Sequence, residues 1–139
     1  MPPLTRWYLK TALLYFVAAL VVGVLLAARS LAVLPPSVNA LSPVYFHLLM
    51  VGWVTQLIFG VVFWMFPKES AARPRGSERL GWATYGLLNA GLLLRVVGEP
   101  WQGLAPGPLP GTLLAASALL QWAAGLAFVA NTWPRVKER

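Results

Sequence analysis

The fold follows from the apolar run His47 to Phe66, which reads HLLMVGWVTQLIFGVVFWMF. It contains no Asp, Glu, Lys or Arg. An α-helix rises 1.5 Å per residue, so about 20 residues are needed to cross a hydrocarbon core of about 30 Å. A run of this length without a charge is typical of a helix that crosses a membrane.

Three further segments of the chain have the same character. The sequence predicts four spans, at about residues 7–28, 43–66, 79–97 and 112–133. Proline and glycine separate them: Glu99-Pro100 is predicted to end the third span, and APGPLPG from Ala105 to Gly111 to form the last loop. Short loops make consecutive helices antiparallel neighbours. We therefore expect an all-α, four-helix transmembrane bundle, with residues 1–139 forming one integral membrane domain.

The composition agrees with this fold and restricts the chemistry. The hydrophobic fraction is 58% and the charged fraction 11%, against about 25% charged in ordinary soluble domains. There is no cysteine, which excludes disulfides, iron–sulfur clusters and thiolate metal sites. With no aspartate and a single histidine, most hydrolytic or metal-assisted catalysis lacks its usual groups. We do not expect the chain to be catalytic alone.

The basic residues predict the orientation of the bundle. Two of the eleven Lys and Arg residues, Arg29 and Arg95, fall towards one side. The other nine fall on the opposite side: Arg6, Lys10, Lys68, Arg73, Arg75, Arg79, Arg135, Lys137 and Arg139. The positive-inside rule then places both termini and the middle loop in the cytoplasm of a bacterium, with the spans in its inner membrane. These clusters suit anionic lipid rather than nucleic acid, because no groove-reading module accompanies them.

Small and polar residues inside the spans predict how the helices pack. Gly52, Gln56 and Gly60 recur every four residues on one stripe of the second span. Such a stripe lets another helix approach closely and hydrogen-bond to the amide. Asn89 and Gln121 lie at a similar depth in the third and fourth spans, so both are expected to be partners of Gln56.

His47 is the only imidazole of the chain, and two interpretations are open. It is either a structural histidine bonded to a carbonyl or a neighbouring helix, or an axial ligand of a metal. The first is the commoner role for a polar group within a span. Gln56 follows nine residues later, so on an α-helix the two side chains point in opposite directions.

Arg95 also has two interpretations. Glu99 follows four residues later, so the two can pair along one helix. An arginine near the end of a span commonly extends its guanidinium to the interface. The alternative is that Arg95 meets an anionic group there, such as a haem propionate or a carboxylate of a partner.

The second span has a more specific pattern than its composition. From Val44 to Pro67 it reads VYFHLLMVGWVTQLIFGVVFWMFP, which resembles helices of the haem–copper oxidase superfamily. The resemblance is closest to segments of nitric oxide reductases and cbb-type oxidases, and to the small four-helix protein that accompanies nitric oxide reductase in thermophilic bacteria. The positions that fit are His47, Leu48, Gly52, Trp53, Val54, Gly60, Phe66 and Pro67.

The resemblance implies a membrane subunit rather than a complete enzyme. Tyr45 stands where the superfamily pattern has a first histidine, and one histidine cannot supply the two haems and second metal of a catalytic subunit. The resemblance implies a non-catalytic subunit beside a respiratory catalytic subunit of a nitric oxide reductase or oxidase, supporting assembly, stability or substrate access. On this reading no cofactor is expected.

The alternative is a membrane electron carrier that binds haem b and is related to cytochrome oxidase subunit I. His47 is then the tentative axial ligand of the haem iron, and Arg95 faces the propionates. Met50, Met65, a second copy of the chain in a homodimer, or another subunit supplies the other ligand. A transporter or a copper or haem chaperone ranks last, because neither mid-membrane ionisable residues nor paired methionines are present.

Overall fold

The structure, a computed structural model, describes residues 1–31 and 34–136. It contains four helices that are long and apolar enough to cross a membrane, and no strand within those ranges. The prediction of an all-α, four-helix bundle is confirmed, and the chain is a multi-pass membrane protein. Three of the four are single α-helices: α1 (Pro3–Ala28), α4 (Glu78–Leu104) and α5 (Pro108–Thr132). The other, which is second in the chain, consists of consecutive segments: α2 (Ser42–His47), a π-helix (Leu48–Thr55) and α3 (Gln56–Met65). Short 3₁₀ turns cover Arg29–Leu31, Pro36–Leu41 and Trp133–Arg135.

Among the helix boundaries that differ from the prediction, two fall at prolines that were expected to end a span or to lie in a loop. The third span does not end at Glu99-Pro100, because α4 continues through Pro100 to Leu104. Proline removes one backbone hydrogen bond but has the φ angle of a helix, and the last turn of α4 packs on the 3₁₀ turn Pro36–Leu41. The APGPLPG segment is not all loop either, since α5 already begins at Pro108, where proline suits a first turn.

The bundle has two central and two flanking spans. The second span runs from Pro36 to Met65 and lies beside α4; α1 packs along the second span, and α5 packs along α4. In the most apolar stretch of each central span, 28% of the residues are buried. The corresponding fraction is 11% in α1 and 11% in α5. The flanking helices therefore present most of their apolar surface to whatever surrounds the bundle.

Both termini of the described chain meet the linker between α3 and α4 at one end, which we call the basic end. Arg135 is 1% exposed there and donates to the carbonyls of Phe63 (3.2 Å), Phe66 (2.9 Å) and Pro67 (3.0 Å). These carbonyls lack partners within α3 because the helix stops, and a cation suits a helix C-terminus. The sequence predicted Arg135 only as one of the basic residues that set the orientation of the bundle. In the structure it caps the C-terminal end of the second span.

The π-helix changes the direction of two side chains on the second span. Its backbone hydrogen bonds join residues five positions apart, so each turn holds more residues than a turn of an α-helix. The nine residues from His47 to Gln56 therefore cover less than the two and a half turns of an α-helix. Both side chains consequently contact α4, His47 at Glu99 and Gln56 at Asn89. The prediction that they point in opposite directions is wrong.

Candidate functional site

A cluster of polar side chains lies near the end of the bundle opposite the basic end. It consists of His47 at the last turn of α2, Arg95 and Glu99 on α4, and Ser117 on α5; we call it the His47 cluster. Glu99 Oε1 lies 2.9 Å from His47 Nδ1 and 3.3 Å from Arg95 Nη1. Arg95 Nε donates to Ser117 Oγ at 3.2 Å. The cluster therefore joins the second span, α4 and α5.

The imidazole of His47 is oriented through one nitrogen. Nδ1 lies 2.9 Å from both the Pro43 carbonyl oxygen and Glu99 Oε1, so its N–H is donated to these two acceptors. Nε2 makes no hydrogen bond within the described part of the chain, and the side chain is 30% exposed. A proton on Nδ1 leaves the lone pair of Nε2 free to accept a hydrogen bond or to bind a metal.

Glu99 is the buried centre of the cluster, with a side chain that is 6% exposed. Both Arg95 and His47 approach Oε1, whereas Oε2 is buried without a hydrogen-bond partner among residues 1–31 and 34–136. A buried acceptor left unpaired costs about 1–3 kcal/mol. The Arg95 guanidinium balances the charge of this carboxylate, and the cost of burying either group alone would be larger.

Arg95 is engaged inside the bundle rather than at the interface. The expected pair with Glu99 is present, and the side chain is 19% exposed. Ser117 accepts from Arg95 and in turn donates to the Gly91 carbonyl at 2.6 Å. The guanidinium is thus held between α4 and α5 through Nε and Nη1.

A second polar network crosses the middle of the bundle. Gln56 is 1% exposed, and its Oε1 accepts from Asn89 Nδ2 at 2.6 Å. Asn89 Oδ1 accepts from the Tyr15 hydroxyl at 3.0 Å, so α1 joins the same network. The expected partnership of Gln56 and Asn89 is present. The expected contact of Gln56 with Gln121 is not, because Gln121 Nε2 donates to Ser117 Oγ instead (3.2 Å).

The glycine stripe of the second span faces α1. A Cβ on Gly60 would lie 2.7 Å from Tyr8 Cβ, and one on Gly52 would lie 2.8 Å from Tyr15 Cβ. Thr5 Oγ1 also donates to the Gly60 carbonyl at 3.3 Å. Gly52 and Gly60 thus allow the close approach of α1, while Gln56 between them reaches α4.

The outward side of α5 carries a further feature that the sequence interpretation did not include. Leu119, Trp122, Leu126 and Val129 are all exposed, and their spacing alternates between three and four residues. This is the spacing of a seam between packed helices. Trp122 lies in the middle of the span and is 65% exposed, although membrane tryptophans are usually concentrated at the two interfaces. We call these four residues the outer face of α5.

No protein-family model, no curated protein and no solved structure matches this chain. Within the described ranges, no three His, Cys, Asp or Glu side chains come together to hold a metal ion. The features that bear on function are the His47 cluster, the outer face of α5 and the resemblance of the second span.

Proposed function

We propose that the chain is a small non-catalytic subunit of a respiratory complex of the haem–copper type, built around the catalytic subunit of a nitric oxide reductase. Its partner is this catalytic subunit, in a bacterial inner membrane, and its role is to support assembly, stability or substrate access. The resemblance of Val44–Pro67 supports the family of the partner. The observation that carries the proposal is the outer face of α5, with Trp122 exposed at mid-span.

The chemistry of tryptophan explains why this face favours a protein partner. The indole N–H of Trp122 makes no hydrogen bond in the described part of the chain. Lipid tails cannot accept one, whereas a neighbouring helix can offer a carbonyl or a polar side chain. The His47 cluster and the Gln56–Asn89 network already pair most polar groups within the bundle. The bundle thus holds itself together without using the outer face of α5.

The proposed orientation places the basic end in the cytoplasm and the His47 cluster near the outer leaflet. Nitric oxide is small and apolar, so it reaches a buried site through the lipid phase. A subunit alongside the catalytic core would line part of that route without taking part in the reaction.

Truncation of Trp122 tests the proposal. In a host producing the tagged chain together with the reductase catalytic subunit, Trp122→Ala is expected to lower the copurified catalytic subunit by about tenfold or more, because a tryptophan that becomes buried on binding is commonly a hot spot of the interface. Trp64→Ala, at a 42% exposed tryptophan on α3, is the matched control and should retain the partner. The proposal fails if deleting the whole chain leaves both complex yield and nitric oxide reduction unchanged.

The second candidate, a carrier of haem b, is favoured by the geometry of His47. Histidines that ligate metals commonly donate their other ring N–H to a carboxylate or a backbone carbonyl, and His47 donates to both kinds of acceptor. Haem would supply one-electron chemistry there, with His47 Nε2 as one ligand and the other supplied by a second copy of the chain or by another subunit, because Met50 follows His47 on the same helical segment and cannot reach the opposite face of the haem. Arg95 fits less well, since its guanidinium already binds Glu99 and Ser117.

An absorption spectrum separates the two candidates. The purified chain is measured oxidised and after reduction with dithionite. If it is a non-catalytic subunit, we expect no haem band from the isolated chain. A band corresponding to near one haem per one or two chains, lost in His47→Ala, would replace the first proposal with the second. A band that His47→Ala retains in full would exclude His47 as the ligand.

A further inference from the structure

The linker between α3 and α4 forms a half-open cavity at the basic end of the bundle. Residues 72–79 line it, and its volume is about 420 Å³; we call it the loop cavity. Arg73, Arg75 and Arg79 contribute three positive charges to the lining, and Glu78 contributes one negative charge. The lining thus has an excess of two positive charges. This site is separate from the His47 cluster and does not depend on the proposed function.

The backbone of the loop cavity is held in place by α5. Gly76 has a positive φ of 75°, and a Cβ there would lie 2.5 Å from Asn131 Oδ1. The same Oδ1 accepts the Ser77 N–H at 2.8 Å, and Ser77 Oγ accepts the Leu80 N–H at the start of α4. A side chain at position 76 would push the loop away from Asn131. The arginines therefore extend from a fixed backbone, which lowers the entropy lost when they bind a ligand.

The surroundings of the loop cavity place it at the depth of lipid headgroups. Trp82 and Trp133, both exposed, lie at the same end of the bundle, and tryptophans concentrate at membrane interfaces. Met65, at the end of α3, is also exposed and adds apolar surface at this end. Exposed apolar side chains therefore lie at the same end of the bundle as the charged loop cavity.

The charges of the cavity select the chemistry of the ligand. The planar guanidinium of arginine binds phosphate oxygens with two parallel hydrogen bonds. A phosphodiester carries one negative charge, which the excess of two positive charges can neutralise even with Glu78 present. We propose that the loop cavity binds the phosphodiester headgroup of an anionic phospholipid, whose acyl chains lie on the apolar surface of the bundle. Free inorganic phosphate shares the headgroup chemistry but lacks the chains.

Native mass spectrometry of the full chain in detergent tests this site. Phosphatidylglycerol is titrated against phosphatidylcholine with the same acyl chains. The variant Arg73→Gln/Arg75→Gln is expected to weaken phosphatidylglycerol binding by about ten- to thirtyfold, given the usual contribution of a basic residue near anionic lipid. Arg6→Gln/Lys10→Gln removes two charges from α1 near the same end and is the matched control. The control is expected to change the affinity less than twofold.

Three results would overturn the proposal. Equal losses in the two variants would mean that the lipid responds to net charge and not to the loop cavity. Equal binding of phosphatidylcholine and phosphatidylglycerol by the unmodified chain would exclude a preference for anionic lipid. If inorganic phosphate binds the unmodified chain as tightly as phosphatidylglycerol does, the acyl chains contribute nothing and the site is one for a free anion. Thermal unfolding of each variant checks that the fold is retained.

Discussion

Glu99→Met is expected to lower the free energy of unfolding by about 3 kcal/mol, the lower end of the range for breaking a buried ion pair. The substitution nearly conserves the length of the side chain but removes the acceptor shared by His47 and Arg95. Arg95 is then a partly buried cation with only Ser117 as partner. We take the lower end because the side chains of His47 and Arg95 are 30% and 19% exposed. Unfolding of the purified chain in detergent measures the loss.

The double variant Arg95→Met/Glu99→Met distinguishes a charge effect from a packing effect. Replacing both charges by apolar side chains of similar size removes the unpaired cation, so the double variant is expected to be more stable than Glu99→Met alone. A cycle completed with Arg95→Met gives the coupling between the two residues. Additive losses in the double variant would contradict the view that Arg95 and Glu99 depend on each other.

Gly60→Ala is expected to destabilise the bundle by about 1–3 kcal/mol, the usual cost of overpacking a close contact. The new Cβ would lie 2.7 Å from Tyr8 Cβ, an atom fixed next to the backbone of α1. The clash cannot be relieved by rotating a flexible side chain, so α1 must move away from the second span. That movement also lengthens the hydrogen bond from Thr5 to the Gly60 carbonyl. Unfolding in detergent again measures the change.

Gly86→Ala is the matched control, because the same methyl group is added within the transmembrane part of α4. A Cβ on Gly86 would meet nothing within 4 Å. Alanine is the better helix former by about 1 kcal/mol, so Gly86→Ala is expected to leave stability unchanged or to raise it. Equal effects of the two substitutions would mean that helix propensity, and not the approach of α1, governs stability at these glycines.

The spans themselves could be predicted from the sequence, because few backbone structures are stable inside a bilayer. A backbone inside hydrocarbon must satisfy its hydrogen bonds internally, so a long run such as His47–Phe66 has little alternative to a helix. The pairing of Arg95 with Glu99 follows from spacing along one helix, and it is present. The partnership of Gln56 with Asn89 follows from similar depth in two spans, and it is present too.

Side-chain directions and helix ends could not be predicted from the sequence, because they depend on how the helices wind and pack on each other. The π-helix Leu48–Thr55 holds more residues per turn than an α-helix, so it rotates His47 relative to the residues that follow Thr55. This rotation brings His47 to Glu99. The packing of α4 on Pro36–Leu41 carries the helix past Pro100 against the local tendency of proline. Arg135 becomes a cap only because α5 brings it to the carbonyls that end α3. Length, apolarity and depth are local properties of the chain, whereas the direction of a side chain depends on the helix packed against it.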